Sequence, residues 1–539
     1  MPDTKRMEPA SIFNDVLGPV MTGPSSSHTA GPTRIGLSLR LLLGEEIAEA
    51  RIRFKADGSY PGTYRGQGTD MGFIGGLLGF GPENKNLIQA LDIATKRGLS
   101  YVFETETINH PHPNTARIIL KGVSGRKMEF LTLSTGGGMF HILELNGHAV
   151  SVRGEFWELF ASAPDASRLD VLCETARRGG ARIHRAEGRE GFVQITAQRP
   201  FAGELLREAD DLAASPDCSI SQMPPVLPVS GQFEYSMPFM IAAEALARRN
   251  GDETLADLAI RYERARSGQA EDEMLGRMGE IIRVMRRAAE SGLRGGLPTT
   301  GYLRPKAADM LAAMRDTIIA DIGVMNRSLL IATAIMEYNS SSGIVVAAPT
   351  AGSCGVLPAV VLALAEAGGR TEEEQAKAML AAGLIGVFIA HQATFAAEVC
   401  ACQAEIGSAT AMAAAAAVQL LGGDARQGMA AAALALQNVL GLICDPVAGL
   451  VEIPCVNRNS MGAANALVSA NMVLCGFDPV IPLDEVILVM RDTGERLPPE
   501  LRCTNRGGLC LARTSLKLEE TLVARSAEGG TRGTSEWRR

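Results

Sequence analysis

The chain reads as a multidomain α+β protein with an N-terminal α/β domain, a small βαβ module and a large all-α C-terminal domain. Three observations carry this. Residues 1–150 mix Gly, Pro and polar clusters with short β-rich runs at 50–55 and 117–120. Residues 151–214 alternate between strand-like and helix-like runs, the first of them being HAVSV just ahead of the boundary. Residues 235–515 carry long Ala- and Leu-rich stretches at helical spacing, with few strand signals. A length of 539 residues predicts two to four domains, and 46% hydrophobic residues supply sizeable cores.

Taken in order, the first helical run begins near Thr33, after a polar segment rich in Ser and Thr. The small module reads as strand HAVSV, helix ASRLDVLCETARRGG, then strands ARIHR and GFVQIT. Residues 215–234 contain the Pro-rich SPDCSISQMPPVLPVSG and are expected to be a linker. Helical stretches are expected at 238–249, 307–338, 372–390, 409–421 and 426–444. Residues 516–539, ending EGGTRGTSEWRR, are polar and expected to be disordered.

Composition narrows the function classes. A net charge of −8 without a basic block argues against a nucleic-acid partner. Apolar runs at 344–351 and 411–421 are too short or too broken to span a bilayer, so no membrane role is expected. The N-terminal MPDTKRMEPASIF has no apolar core of a secretory signal, which leads us to expect a cytoplasmic protein with reduced thiols. Large Ala-rich helical enzymes are often dimeric, so a homodimer is expected.

Four polar motifs interrupt the scaffold. The first is TGPSSSHTAGPTRIG at 22–36, where Ser25, Ser26, Ser27 and Thr29 flank His28 ahead of a helix. Free backbone N–H groups at a helix start, with adjacent hydroxyls, suit a carboxylate or phosphate; taken alone, the motif reads first as a Ser/Thr-capped helix preceded by a turn. The second is GSY at 58–60 with GQGTD at 66–70, including Gln67 and Thr69, which lacks P-loop spacing. The third, APTAGSCGVLP at 348–358, breaks an apolar helical region and contains Thr350, Ser353 and Cys354. The fourth, NRGGL at 505–509, reads as a helix C-cap.

Three cysteines stand out: Cys402 in AEVCACQAEIG, and Cys444 and Cys455 in CDPVAGLVEIPC, separated by 42 and 11 residues. Iron–sulfur clusters normally take four thiolates. Three would leave one iron open to a substrate oxygen, as in catalytic metal sites. The other reading is that they are small buried hydrophobes.

Together TGPSSSHTAGPTRIG, APTAGSCGVLPA, CQAEIG, CDPVAGLVEIPCVNRNSMGAANA and NRGGL, in that order, closely resemble the iron–sulfur-dependent L-serine dehydratases (L-serine ammonia-lyases). The resemblance covers most of residues 10–515, as a single-chain fusion of β and α parts encoded separately in some bacteria. It implies a serine dehydratase β-like domain at 1–150, an ACT-like module at 151–214 and a cluster-binding catalytic domain at 235–515. It implies a [4Fe–4S] cluster on Cys402, Cys444 and Cys455, and deamination of L-serine to pyruvate and ammonia in amino-acid catabolism and gluconeogenesis. The same resemblance implies catalytic roles for Ser26, His28, Thr29 and the position of Gln67. Ser25, Ser27, Thr69, Thr350 and Ser353 would line the substrate and cluster pocket.

Several positions depart from the family pattern. Gln67 stands where a His in a GHGTD-like loop is a candidate base, and an amide accepts no proton usefully near neutral pH. Residues 392–397 and 301–307 differ from the expected Asn-Ala-Ser-Ile-Ser-Gly-like and Gly-Gly-Asp-like runs. The chain continues past Cys510 without a terminal cysteine. These departures keep two alternatives in view: the same chemistry on another β-hydroxy or β-thiol amino acid, or a non-catalytic cluster-bearing sensor. Cys354 is expected to be a pocket wall and Cys400 structural; Cys173, Cys218, Cys475, Cys503 and Cys510 have no motif support as ligands.

Overall fold

The computed structural model describes residues 8–185 and 191–528. Its N-terminal segment is tied into the helical half from the start. The wide turn Ile12–Val16 docks on the helix Glu372–Gln392, where two glycines leave the room it needs. A Cβ at Gly383 would lie 2.5 Å from Ile12, and one at Gly386 2.2 Å from Val16. Next, the strand Val20–Thr22 pairs antiparallel with Ile344–Val346, joining the two halves by backbone hydrogen bonds.

A six-stranded sheet follows, in the order Ser100–Glu106, Ile47–Lys55, Thr115–Gly122, Lys127–Gly136, Met139–Leu145, His148–Val152. Only the first pair is parallel, its crossover made by the helix Thr69–Leu77 and its neighbours. The strands alternate as a one-sided sheet should. Ile52, Phe54, Ile118, Leu120 and Phe130 are buried under the helices Gly31–Leu43 and Thr69–Leu77. The other face carries ion pairs of Arg53 and Arg117 with Glu106, Glu104 and Glu129.

The small module is shifted from its expected bounds. HAVSV is the edge strand of the six-stranded sheet, not the first strand of the module. The module runs Trp157–Ser162, Ala166–Arg178, Arg182–His184, Phe192–Ala197, Glu204–Ala213, Ser219–Met223, a βαββαβ order with all pairs antiparallel. Its last strand lies inside the expected linker: SISQM pairs with the strand 157–162, and the Pro-rich run after it hid that pairing from composition.

Beyond residue 240 the chain is mainly helical. The helices Glu372–Gln392 and Ser408–Leu420 sit at its centre. Ala409, Ala411 and Ala413 to Ala417 are all fully buried, so the second has no solvent face and no amphipathic stripe. Thr371 and Glu374 form a reciprocal capping box at the start of the first. The apolar segment Ala351–Gly368 is long enough to cross a membrane and has a mean hydropathy of 1.6, but 78% of it is buried inside the protein.

Four expectations need correction here. Residues 307–338 form two helices, Ala307–Arg315 and Val324–Ser340, parted at a segment where Thr317 has φ 55°. The run at 426–444 stops being helical at Gln437, which leaves Cys444 on extended chain. NRGGL is not a helix C-cap but a loop beside Asp445. Finally, residues 516–528 continue a helix, Arg513–Glu528, in place of the expected disorder; residues 529–539 lie outside the described residues.

Candidate active site

The three motif cysteines converge because a helix is broken ahead of Cys402 and begun at Cys455, while Cys444 lies on extended chain. Ahead of Cys402 the helix Ala397–Cys402 is interrupted, with Ala401 at φ 61°. Cys444 is held by Cys444 N–H donating to Leu501 O at 2.9 Å and by a parallel bridge to Arg502. Cys455 opens the helix Cys455–Leu474. All three are buried. The ligand atoms of Cys402, Cys444 and Glu405 lie within 4.8 Å of one another, a spacing that can hold a metal ion. Cys444 and Cys455 line one cavity with Glu398, Glu405, Cys503, Ser25, Ser27 and Gln67.

Polar pins hold this wall. Arg458 donates to Ile443 O and to Asp445 at 2.9 Å, and Leu509 N–H reaches the other Asp445 oxygen at 2.9 Å. Asn459 clamps the APTAGSCG loop, donating to Gly352 O at 2.8 Å and accepting from Gly355 N–H at 2.9 Å. The altered segment at 301–307 stands behind the wall, where Tyr302 and Leu303 N–H donate to Glu452 and Lys306 and Ala307 N–H to Glu337.

The opposite wall is the SSSHT loop. Ser25 caps the turn Ser26–Ala30 by accepting from His28 N–H at 3.2 Å. Ser27 Oγ donates to Glu398 Oε1 at 2.6 Å, and His28 Nδ1 lies 3.1 Å from the same oxygen. His28 Nε2 is 3.2 Å from Ser59 Oγ, whose own hydrogen goes to Cys503 O at 2.7 Å. The imidazole edge meets Tyr60 at 5.3 Å between ring centroids. Ser26 Oγ accepts from Ala351 N–H at 3.3 Å, joining this loop to APTAGSCG.

The electrostatics follow from burial and from the charged neighbours it brings together. Burial alone would raise the Glu398 carboxyl, but His28 and then Ser27 outweigh it and bring it down to about 2. Glu405 moves the other way, raised by burial and by Cys402 against a 2.6 Å hydrogen bond from Thr350. The hydrogen bond from Cys444, with Arg458 nearby, lowers the Cys402 thiol to about 7, toward the thiolate form that binds metals.

Of the residues picked from sequence, Ser25, Ser27, Gln67, Cys444 and Cys455 line the cavity. His28 lies directly behind Ser27 and Glu398, fully buried. Thr29 donates to Gln67 O at 2.7 Å, and so holds the 66–70 loop. Gln67 itself reaches Cys503 Sγ at 3.4 Å through Nε2. Thr350 and Ser353 share a 3.1 Å hydrogen bond behind Glu405. Thr69 is buried away from the cavity lining, its hydroxyl without a partner among the described residues. Cys354 packs on Met336 and Cys400 on Gly494.

Glu398, Glu405, Ser59 and Cys503 were missed. Both glutamates sit inside AEVCACQAEIG itself, and two acids in an otherwise apolar, Ala-rich run are a signal that burial must be compensated. Cys503 had no spacing to mark it; only the fold brings it beside Cys444.

Comparison with known proteins agrees with this geometry. Residues 250–510 match the family described as serine dehydratase alpha chain, and residues 14–97 match serine dehydratase beta chain. The L-serine dehydratase of Streptomyces coelicolor is 31% identical over 93% of this chain and 98% of its own length. The L-serine dehydratase TdcG of Escherichia coli is 30% identical over 91% of this chain and 96% of its own. A probable L-serine dehydratase alpha chain from Bacillus subtilis is 38% identical over 52% of this chain and 92% of its own length. With both parts in one polypeptide and a full-length match to such relatives, the chain belongs to the L-serine dehydratase family.

Proposed function

We propose that this protein is an iron–sulfur L-serine ammonia-lyase that forms pyruvate and ammonia by β-elimination of water. One observation carries the reading: the thiol-bearing wall and the SSSHT loop meet in a single buried cavity. Cys402, Cys444 and Cys455 would hold a [4Fe–4S] cluster, and the donor set fits it: all three thiols are buried, Cys402 and Cys444 lie within reach of one ion, and Cys455 lines the same cavity as Cys444. When bound, the cluster supplies an open, Lewis-acidic iron that stabilises charge on the departing hydroxide.

The rest is the work of this chain's side chains. Ser25 and Ser27 both line the cavity; the Ser25 hydroxyl is assigned to the substrate carboxylate, while Ser27 gives its hydrogen to Glu398, with Ser26 fixing their loop and Thr29 fixing the 66–70 loop. His28 spans Ser59 and Glu398 with its two ring nitrogens. Ser59 has given its only hydrogen to Cys503 O and so accepts from Nε2, while Nδ1 faces a carboxylate. It therefore orients Glu398 and is not assigned the α-proton. Gln67 cannot take that proton either. Glu405 is the remaining carboxyl beside the thiols; burial raises its affinity for a proton, and in its ionised form, held by the Thr350 hydroxyl, we assign it as the proton acceptor. As the α-proton moves to Glu405 the Cβ–O bond breaks; Glu405 then passes that proton to the departing hydroxide, which leaves as water, and the aminoacrylate tautomerises to its imine and hydrolyses to pyruvate and ammonia.

The reading includes a cytoplasmic homodimer acting on a free amino acid, with no nucleic acid or membrane partner, in amino-acid catabolism and gluconeogenesis. The small βαββαβ module has the strand order of a ferredoxin-like unit, which supports an ACT-like regulatory role for it.

Anaerobic reconstitution with iron and sulfide, followed by a 2-oxo-acid assay on L-serine, L-threonine and L-cysteine, tests the assignment. Pyruvate from L-serine is expected. Serine inert beside another amino acid that turns over would move the activity to that substrate. A full cluster without any turnover would make the protein a sensor.

A further inference from the structure

One group in the cavity is left without a partner. Glu398 is 5% exposed, and its side chain only 1%. Its Oε1 accepts from Ser27 and faces His28 Nδ1, whereas Oε2 is buried with no hydrogen-bond partner among the described residues. A buried acceptor left without a donor is costly, more so when charged, so such a group in a native site calls for a missing donor. The residue lines the same cavity as Ser25, Ser27, Cys444 and Cys455. The other cavity carboxyl, Glu405, already takes the Thr350 hydroxyl.

We propose that Glu398 Oε2 is the binding site for the α-ammonium group of the substrate, and that this contact restricts the cavity to α-amino acids. Resting on the lyase reading for the substrate class, it adds the atom that recognises the amine. An ammonium brings three N–H donors and a positive charge, the complement of a buried carboxylate oxygen. The charges balance as well. His28 and Ser27 spend their hydrogens on Oε1, so Glu398 is held as an anion in a fixed orientation while Oε2 stays free. A hydroxyl in place of the substrate ammonium would supply one hydrogen bond and no charge. Ser27 braces Glu398 with its one hydrogen, which leaves the neighbouring Ser25 hydroxyl for the substrate carboxylate. The substrate's two charged groups would then sit on neighbouring points of one wall, which leaves the side-chain oxygen facing the thiols.

The test is Glu398→Gln in the anaerobic, cluster-loaded protein, with the visible absorbance of the cluster as a check that the site is intact. L-serine is followed by KM where it is turned over and by calorimetric Kd where it is not, so loss of the lyase reading does not hide the outcome. The second probe is 3-hydroxypropionate, which is serine without its ammonium group. We expect Glu398→Gln to weaken L-serine at least about thirtyfold, the size of effect seen on truncating one partner of a buried charge pair. Binding of 3-hydroxypropionate should be the same in both proteins. Unchanged L-serine affinity, or an equal loss for both probes, would overturn the proposal. Should the variant fail to fold, the native protein alone decides: 3-hydroxypropionate must bind at least about thirtyfold more weakly than L-serine, and equal binding refutes the assignment.

Discussion

The loop at residues 25–29 and the helical segment at 397–405 face each other across one cavity, yet they build their functional groups differently. The loop uses short-range hydrogen bonds: Ser25 caps the turn that carries Ser27 and His28, and the helix Gly31–Leu43 follows at once. The helical segment works by interruption. Its helix breaks at Ala401, which sets Glu405 at the cavity and Cys402 beside it and Cys444, while the surrounding alanines pack as core. The loop supplies neutral or cationic donors; the segment supplies thiols and carboxylates. Each answers the other's electrostatic cost, since a buried Glu398 anion is tolerable only beside Ser27 and His28.

The largest expected effects lie on the thiol side. Cys444→Ser should lose both iron and lyase activity, whereas Cys503→Ser should keep the cluster, because three thiolates carry the assignment. Iron and sulfide content with visible spectra would check both. An intact brown cluster in Cys444→Ser would remove that ligand, and a bleached Cys503→Ser would make the set four thiolates.

The loop side should show a smaller but clear effect. His28→Ala removes a donor to Glu398 without touching a ligand, so turnover should fall about 10²–10³-fold, as for loss of one preorganised donor, with the cluster spectrum unchanged. Turnover at the native rate in steady-state assays would take His28 out of the site.

The smallest effect lies outside the cavity. In the βαββαβ module Glu158 is buried on the strand 157–162, with hydrogen bonds from Gln194 at 3.0 Å and Thr196 at 2.8 Å. Burial raises its carboxyl to about 8 from 4.5. The folded chain then holds a proton that the unfolded chain releases. Its contribution to stability is fully present below about pH 4.5 and is lost as pH rises through about 8. Glu158→Gln should flatten that decline in denaturation midpoints while lyase turnover stays put. A retained slope would place the titration elsewhere.

Much of this arrangement was legible in the residues. Long motifs gave the loop and the three cysteines, because a capped turn and an isolated cysteine in a Pro- and Gly-marked stretch leave local traces. The helix Ser408–Leu420 was found by its length and composition; periodicity could not mark it, since it is buried on every side. What stayed hidden was set by tertiary contact. Alternation in HAVSV identifies a strand without saying which sheet it joins, and SISQM was masked by the prolines that follow it. Ser59 sits within the GSY run and Cys503 just ahead of NRGGL, yet neither motif marks them as partners. They reach the site only because residues 501–503 lie against Cys444 and Ser59 hydrogen-bonds to Cys503 O. Gln67 was read as a lost base; in the fold its amide contacts the Cys503 sulfur, a contact the local sequence does not encode.

The central claim is that one cavity, loaded with an iron–sulfur cluster, eliminates water from L-serine. Pyruvate release from L-serine, measured anaerobically before chelation, after chelation and after restoring iron and sulfide, tests it most directly. The account predicts turnover, its loss with the metal, and its return on reconstitution. Undiminished turnover in iron-free protein would contradict it.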